Sequence, residues 1–448
     1  MNIALIFPPL YGVDLPPLGL AYIAAKLIEE GHMIKIFCFN ISLYKTNPDK
    51  KNLWDWSNSQ DWLSYEGIVK HFDIDKISDT WVDEIMEFNP DVAGFSVNTH
   101  SAVLSNLLAD KIKGLKSKIT VIFGGPFCSE LNKDTSNPNV DIYVKGEGEA
   151  VISAILNRLT AKEPLEDIGN ILINNNGNYT VAPISALPFP ALQLFEIADY
   201  ENKRDIPILF SRGCPYYCRF CFDRPIWGNY RMRTADDIVG EIKKHKQIFN
   251  RSAFKCNDLL VNGDLAGLEK MADLIIKERL NISWGGMARA RPDMTAQLLD
   301  KLKRSGCAYL TFGIENGSDK ILKFMGKPGT KDTSIALKRT HDAGIKVNTL
   351  WMVGHPRETF LDVLKTIFFL FRNRKIIDEF VSVSMCYIPR NSILEAQSKE
   401  LGIKYDNSGN WYISKGNNTY ANRKSRAAIL ENFAKFLGLY TGGIRSDY

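Results

Sequence analysis

Short apolar runs alternate with amphipathic stretches over the first 150 residues of the chain. Residues 18–30 and 102–115 place apolar side chains at helical spacing, which predicts two helices. Five apolar runs have the length of buried strands: 3–7, 34–39, 92–97, 120–123 and 142–144. Because strands separated by helices pair in parallel, this half is predicted to be an open α/β sheet.

The same alternation returns from residue 206 to about residue 385. Helical patterns such as 268–277 and 295–304 separate six apolar runs: 207–210, 254–260, 282–284, 309–312, 347–353 and 380–384. Six strand–helix units predict a partial (β/α)6 barrel, since a closed barrel of this kind needs eight.

Three segments lie outside these two patterns. Residues 40–78, rich in Trp, Tyr, Asp and Lys, are predicted to be an insertion in the first sheet. Residues 166–205 are predicted to be a linker, and 386–448 a C-terminal extension with one amphipathic helix near 427–437. The predicted domains are therefore 1–165 and 206–385.

Composition excludes several classes of protein. The 448 residues are 45% hydrophobic and 24% charged, with a net charge of +5, as in globular proteins without a concentrated basic block for nucleic acid. No apolar run reaches the roughly 18 to 20 residues that span a bilayer. The apolar N-terminus has no basic start and no small-residue cleavage site, so we expect a cytoplasmic protein with no membrane partner.

Three of the eight cysteines, Cys214, Cys218 and Cys221, fall within eight residues directly after a predicted strand. Three thiolates on one loop bind three irons of a 4Fe–4S cluster and leave the fourth iron open. A structural zinc site normally needs four protein ligands, and the chain offers no second cysteine pair. The loop therefore predicts an iron–sulfur cluster at the end of a barrel strand, where barrel enzymes carry their chemistry.

This CxxxCxxC loop resembles that of the radical S-adenosylmethionine (SAM) superfamily. The resemblance continues at 257–264, 284–289, 312–318 and 352–359, which look like later strand ends of its cobalamin-binding branch. The Gly-Gly-Glu motif that many of these enzymes use for the SAM ammonium group is absent. The resemblance implies a SAM site formed by Phe220, Asp258, Arg289, Glu315, Ser318, Val353 and Gly354.

In that site Phe220 is expected near the adenine. Asp258 and Glu315 are expected to accept hydrogen bonds from the ammonium and ribose groups, and Arg289 to donate to the carboxylate. The backbone at Val353 and Gly354 is expected to hold the adenine edge. Each of these residues alone is equally consistent with a capping or salt-bridge role.

The first 150 residues resemble the Rossmann-like cobalamin-binding domain that precedes the barrel in this branch. Glycines at the carboxyl ends of parallel strands let a large ligand approach the backbone. The resemblance implies cobalamin contacts at Pro9, Leu10, Leu18, Gly19, Ser96, Val97, Asn98, Gly124, Gly125, Pro126, Gly146, Glu147 and Gly148.

The loop after the first strand contains no histidine, unlike the corresponding loop of cobalamin mutases. A histidine ligand below the cobalt is therefore not expected, which suits a cobalt that changes oxidation state during methyl transfer. His100 lies at a predicted strand end, and its interpretation as a surface histidine is favoured over an approach to the corrin.

The resemblance implies methylation of an unactivated carbon by a 5′-deoxyadenosyl radical and methylcobalamin, with two SAM molecules consumed per turnover. Radical rearrangement, cyclisation or ring contraction without methyl transfer stays open, as does a cobalamin carrier that uses the cluster only to relay electrons. The implied partners are a small-molecule or peptide substrate and an electron donor such as flavodoxin or ferredoxin. A nucleic-acid substrate is not expected, because the chain shows no basic RNA-binding appendage.

Overall fold

The computed structural model describes the chain except residues 11, 130, 132–135, 167, 170, 172–183, 407–408, 414–417, 441–443 and 446–448. The chain divides into two compact units, Met1–Lys203 and Arg204–Tyr448. The predicted linker, 166–205, belongs to the first unit as far as Lys203. Within the described residues, no helix is long and apolar enough to cross a membrane.

The first unit is an open parallel sheet with helices between its strands. Its strands are β1 (Asn2–Phe7), β2 (Met33–Cys38), β3 (Val92–Ser96), β4 (Thr120–Gly124) and β5 (Ile142–Tyr143). Its helices are α1 (Leu18–Glu29), α2 (Phe39–Thr46), α3 (Tyr65–Val69), α4 (Ile74–Glu87), α5 (Ala102–Leu115) and α6 (Ile152–Ala161). The predicted α/β sheet is thereby confirmed.

The strand order is β2-β1-β3-β4-β5, and every pair is parallel. The order reverses between β1 and β3, and ligands of open α/β sheets bind in the crevice outside the carboxyl ends of the strands at such a point. The loops that follow Phe7 and Ser96 therefore flank the crevice of this unit.

The insertion between β2 and β3 folds against the first loop around an aromatic cluster. Trp54 lies 5.3 Å from Trp62 and 6.1 Å from Phe72, measured between ring centroids. The Asn40 side-chain oxygen accepts hydrogen bonds from the Trp54 indole and from the Leu10 backbone nitrogen. The insertion thus fixes the loop that follows β1.

The second unit carries six parallel barrel strands in sequential order. They are β6 (Asp205–Ile208), β9 (Ala253–Cys256), β10 (Ser283–Ala288), β11 (Cys307–Glu315), β12 (Lys346–Val353) and β13 (Glu379–Met385). Two-residue strands β7 (Ser211–Arg212) and β8 (Arg231–Met232) form a separate hairpin, and β16 (Ile444–Arg445) joins the edge of the main sheet beside β13. The partial six-unit barrel is confirmed.

Helices connect these strands and cover the sheet. They are α7 (Asp223–Trp227), α8 (Ala235–Phe249), α9 (Leu265–Lys277), α10 (Ala296–Arg304), α11 (Asp319–Met325), α12 (Thr330–Asp342) and α13 (Phe360–Asn373). Apolar residues at helical spacing, such as Leu298, Leu299 and Leu302 of α10, bury one face of a helix while the other face stays polar.

The C-terminal extension is built into the second unit. It contains α14 (Ile393–Ala396), a hairpin of β14 (Ile403–Tyr405) and β15 (Trp411–Ile413), and α15 (Tyr420–Phe436), which begins seven residues before the predicted helix. Trp411 is buried in a cluster with Met352, Cys386 and Leu394. The extension therefore completes the core at the carboxyl end of β12.

Candidate functional site

The cysteine loop is closed at both ends by a short antiparallel hairpin. Strands β7 and β8 pair Ser211 with Met232 and Arg212 with Arg231. Gly213, the residue before Cys214, has a φ of +74°, and a Cβ there would lie 2.4 Å from the Asn229 carbonyl oxygen. Only glycine fits this close approach of the two loop ends.

A buried carboxylate holds the start of this loop. Asp258 accepts hydrogen bonds from the backbone nitrogens of Phe210 (3.0 Å) and Ser211 (2.5 Å), and from the Ser211 hydroxyl (2.5 Å). Burial raises the pKa of Asp258 to about 6, and its hydrogen bonds with Ser211 and Phe210 oppose that rise. The geometry makes Asp258 a positioning residue of the cysteine loop, and its predicted contact with SAM stays a prediction.

The three loop cysteines are half-buried thiols. Arg289 faces them: its Nη1 lies 3.4 Å from the Cys218 Sγ, its Nη2 donates to the Gly326 carbonyl (2.6 Å), and its guanidinium stacks on Tyr216 at 3.9 Å. Burial raises the pKa of the Cys214 thiol, while Arg289 and Lys327 act in the opposite direction. Positive charge is therefore placed where three thiolates would bind an anionic cluster.

Among the described residues, no three His, Cys, Asp or Glu side chains are grouped so as to hold one metal ion. Thiolates that bind three different irons of a cube do not converge on a single atom, so this finding concerns mononuclear sites. The donor set, three cysteines on one loop facing two cations, fits the cluster.

A second cation of this site, Lys327, has a side chain that is 10% exposed, and sequence reasoning missed it. Its Nζ lies 2.8 Å from the Glu315 Oε1 and 3.1 Å from the Gly313 carbonyl oxygen, and 5.7 Å from the centre of the Phe220 ring. Glu315 has a φ of +67°, and the register of β11 shifts between Gly313 and Glu315. Glu315, a predicted SAM residue, thus combines a strained backbone with an ion pair to Lys327. Lys327 also lies close to Phe220, another predicted SAM residue.

The backbone at the end of β12, which is predicted to contact the adenine edge, makes hydrogen bonds within the protein. The Val353 carbonyl accepts from the Cys386 nitrogen (2.8 Å), and the Gly354 nitrogen donates to the Glu358 Oε2 (2.5 Å). Gly354 has a φ of +79°, and a Cβ there would lie 2.4 Å from the Arg423 Cγ. These two backbone groups are therefore engaged within the protein.

Glu358 joins three segments around the same strand end. Besides Gly354, it accepts a hydrogen bond from Asn316 Nδ2 (2.7 Å), and Arg426 Nη1 of α15 lies 3.2 Å from its Oε2. Burial raises the pKa of Glu358 to about 7, against the opposing effects of Gly354 and Arg426. Sequence reasoning missed this hub, because its partner Arg426 lies 68 residues away in the chain.

Ser318, the remaining predicted SAM residue, is buried at the start of α11. Its hydroxyl donates to Asp362 Oδ1 (2.7 Å), and its backbone nitrogen donates to Asn316 Oδ1 (2.9 Å). The structure thus places Phe220, Arg289 and Glu315 near one another at the cysteine loop. Arg289 contacts Cys218, and Lys327 contacts both Glu315 and Phe220. The structure gives Asp258 and Ser318 buried protein partners.

The predicted cobalamin residues of the first unit lie at the carboxyl edge of its sheet. Pro9 and Leu10 follow β1, and Ser96, Val97 and Asn98 end and follow β3, so that both groups flank the point where the strand order reverses. This is the crevice in which an α/β sheet binds its ligand.

The turn after β4 carries the tightest backbone contact of this edge. Gly125 has a φ of +110°, and a Cβ there would lie 2.4 Å from the Val97 carbonyl oxygen. By contrast, a Cβ at Gly19 of α1 would meet no atom within 4 Å, and one at Gly124 would meet only the Phe95 carbonyl at 4.0 Å. Gly125 is closely packed, whereas Gly19 and Gly124 have open space beside them. This arrangement fits a large ligand that lies against the backbone.

The other predicted residues vary in exposure. Leu18 and Glu147 are buried, whereas Pro126 is exposed. Gly146 has a φ of +74°, and a Cβ at Gly148 would lie 3.1 Å from Ile23 Cδ1. Their contacts with cobalamin stay predictions.

His100 corrects one interpretation of the sequence. It is 3% exposed, with its ring centroid 6.3 Å from that of Trp56, and burial lowers its pKa to about 4. The interpretation as a surface histidine was wrong, because the insertion that contributes Trp56 covers it.

The two units match different family models. Residues 10–156 match the B12 binding domain, and residues 208–370 match the radical SAM superfamily. The chain is therefore a cobalamin-dependent radical SAM enzyme, whose cofactors are a 4Fe–4S cluster, SAM and cobalamin.

Three curated proteins are similar to this chain. An uncharacterized methyltransferase of Pyrococcus horikoshii is 27% identical over 82% of this chain and 77% of that protein. The cytidylyl-2-hydroxyethylphosphonate methyltransferase of Streptomyces wedmorensis is 25% identical over 78% and 71%. The anaerobic magnesium-protoporphyrin IX monomethyl ester cyclase of Synechocystis is 27% identical over 50% and 48%.

A solved structure shares the fold. The radical SAM methyltransferase TsrM of Kitasatospora setae, with cobalamin and a 4Fe–4S cluster bound, superposes with a TM-score of 0.70 at 14% identity. The match covers 97% of this chain and 88% of TsrM.

Proposed function

We propose that this enzyme methylates an unactivated carbon atom of a small-molecule or peptide substrate. The observation that carries the proposal is the combination of a cobalamin-binding unit with a cysteine loop faced by two cations, Arg289 and Lys327. When bound, the cluster and SAM supply a carbon-centred radical, and cobalamin supplies a methyl group.

The relatives favour methylation over a rearrangement. The two named as methyltransferases align with about four fifths of the chain, including both units, whereas the cyclase aligns with half of it. Radical rearrangement or cyclisation without methyl transfer is therefore the weaker alternative.

The protein's own residues have separable tasks in this proposal. Cys214, Cys218 and Cys221 bind the cluster, and Asp258 holds the loop that carries them. Arg289 and Lys327 supply positive charge beside the cluster, where a carboxylate of SAM also binds favourably. Glu315 accepts from Lys327 and would also accept hydrogen bonds from the polar groups of SAM.

Cysteines that bind a cluster must stay reduced, which calls for a reducing compartment, and we propose the cytoplasm. An external one-electron donor of the flavodoxin or ferredoxin class would reduce the cluster.

The first unit has glycine-lined space where cobalamin is proposed to bind, at Gly19 and Gly124.

The test is anaerobic reconstitution with iron, sulfide and cobalamin, followed by addition of SAM, reductant and candidate substrates. Methylation predicts 5′-deoxyadenosine and S-adenosylhomocysteine in equal amounts for each methylated product. The products are quantified by mass spectrometry, with a Cys218→Ala variant as the blank.

Each other outcome points to a named rival. Formation of 5′-deoxyadenosine and a changed substrate without S-adenosylhomocysteine would support a rearrangement. A reconstituted protein that never cleaves SAM would support an electron-relaying cobalamin carrier and overturn the proposal.

A further inference from the structure

The outer face of α13 exposes an apolar stripe. Leu361, Leu364, Phe368 and Phe371 recur at spacings of three, four and three residues, which places them on one side of the helix. Their exposed fractions are 68%, 44%, 64% and 44%, and the preceding Phe360 is 54% exposed. The stripe is about 15 Å long at 1.5 Å per residue. Exposed apolar patches of this kind mark interaction sites.

Only positive charge borders this stripe on α13. Lys365, with a side chain 61% exposed, and Arg372 are the other exposed side chains of the helix. The only carboxylate of α13, Asp362, has a side chain that is 2% exposed and bonds to Lys320 and Ser318 of the neighbouring segment. The face is therefore apolar and basic, which favours an acidic partner that also has an apolar patch.

The face is connected to the cysteine loop through α11. The N-terminal end of α11 bonds to α13 through Lys320 and Asp362 (2.6 Å). At its other end, the Met325 carbonyl accepts a hydrogen bond from the backbone nitrogen of Arg219, the residue after Cys218 (3.1 Å). Helix α11 has seven residues and is about 10 Å long. Its exposed charged residues are Lys320, Lys323 and Asp319, and the Asp319 carboxylate accepts hydrogen bonds from Thr330, so the two lysines extend the basic surface toward the loop.

We propose that the α13 face is the docking surface for an acidic one-electron carrier protein. The inference rests on the proposed function, since a radical SAM cluster must receive one electron for each SAM it cleaves. A second copy of this chain is a poorer occupant, because a two-fold interface would oppose Lys365 and Arg372 to basic residues of the same face.

The electron transfer has a defined balance. The anionic hydroquinone of a flavodoxin (FMNH⁻) gives up one electron and becomes the neutral semiquinone (FMNH•) with no proton released, and the cluster passes from the 2+ to the 1+ state. The docking surface contributes only to association, so it accelerates reduction by a protein donor and leaves reduction by a small molecule unchanged.

The experiment measures cluster reduction by flavodoxin hydroquinone in an anaerobic stopped-flow instrument, with dithionite as the parallel donor. Phe368→Glu and Lys365→Glu should slow reduction by flavodoxin by about tenfold at low salt, because each places negative charge against an acidic partner. Both variants should be reduced by dithionite at the wild-type rate. Leu115→Glu is the matched control, since Leu115 is 66% exposed on α5 of the first unit.

Unchanged reduction by flavodoxin in both α13 variants would overturn the proposal. So would a wild-type dimer that these variants convert to a monomer, because the face would then be a self-interface. Calorimetric binding of oxidised flavodoxin to the purified chain does not depend on SAM cleavage. It therefore tests the docking surface even if the methylation proposal fails.

Discussion

The two candidate cofactor sites lie at the same place in their sheets, the carboxyl edge, but they are built from different groups. The edge of the first unit is lined mainly by backbone and uncharged residues, with Gly125 packed on Val97 and open space beside Gly19, and Glu147 is the one charged residue among its predicted contacts. The edge of the barrel is crowded with buried charge, including Asp258 and the Lys327–Glu315 pair.

This difference follows the chemistry of what each edge is proposed to bind. A corrin is large and needs room near the backbone more than it needs fixed charge. A cluster with three thiolates and a SAM molecule carry several charges, and fixed ions in a half-buried site act on them strongly. The contrast teaches that the same position in an α/β fold is adapted to different ligands by the residues at the strand ends and in the loops that follow them.

The largest effect expected from breaking the charged site comes from its ligands. Cys218→Ala should abolish SAM cleavage, because two thiolates cannot hold the cluster beside an open iron. Iron content and 5′-deoxyadenosine are measured after reconstitution. Cys256→Ala, at a buried cysteine of β9, is the control and should retain both; iron retained in Cys218→Ala would contradict the ligand assignment.

The support beneath the loop should matter next. Asp258→Asn places an amide NH₂ against a backbone nitrogen of Phe210 or Ser211, so retention of iron against a chelator should fall about tenfold. Asp264→Asn is the matched change, since the Asp264 side chain caps α9 through Ala266 and Gly267 and does not bond to the cysteine loop start at Phe210 or Ser211. That variant should retain iron normally, and equal iron loss in both would contradict the positioning role of Asp258.

The pH dependence of stability should report the buried carboxyl at the end of β12. Burial raises the pKa of Glu358 from 4.5 to about 7, so the folded state binds its proton more tightly than the unfolded chain does. The free energy of unfolding should therefore fall as pH rises between about 4.5 and about 7. Glu358→Gln should remove this contribution.

Urea unfolding of both proteins across that range provides the measurement. Glu241, whose pKa burial also raises to about 7, titrates in both proteins and cancels in the difference. A constant difference between the two curves at every pH would show that Glu358 does not titrate in this window.

The smallest effect is electrostatic tuning of the cluster. Arg289→Met removes a positive charge near Cys218, which should lower the cluster reduction potential by on the order of tens of mV. Arg291→Met is the control, because Arg291 pairs with Asp293. The reduction potential of the cluster is measured by redox titration monitored by electron paramagnetic resonance. Equal potentials for the two variants would rule out a direct effect of Arg289.

The sequence predicted the strands and the cysteine loop well, because both depend on local signals. Apolar runs mark the six barrel strands, and the spacing of Cys214, Cys218 and Cys221 lies within one loop. The contacts of Glu358 with Arg426 and of Lys327 with Glu315 were not predictable in this way. They join residues from different segments, and a buried ion is recognised only when the surrounding fold is known.

His100 and the C-terminal extension illustrate the same limit. A histidine at a strand end is ordinarily exposed, and here the insertion with Trp56 buries it. The contacts of Trp411, Arg423 and Arg426 were likewise not predictable from the sequence. Their burial beside Gly354 and Glu358 shows that the extension packs around the end of β12.

The most direct test of two separate cofactor sites is the cobalamin and iron bound per chain, measured in the same reconstituted samples. Gly125→Ala should lose cobalamin and keep about four irons, because its Cβ would collide with the Val97 carbonyl in the first unit alone. Gly114→Ala, where a Cβ meets no atom within 4 Å, should keep both, and Cys218→Ala should keep cobalamin and lose iron. Loss of both cofactors together in either Gly125→Ala or Cys218→Ala would contradict the account.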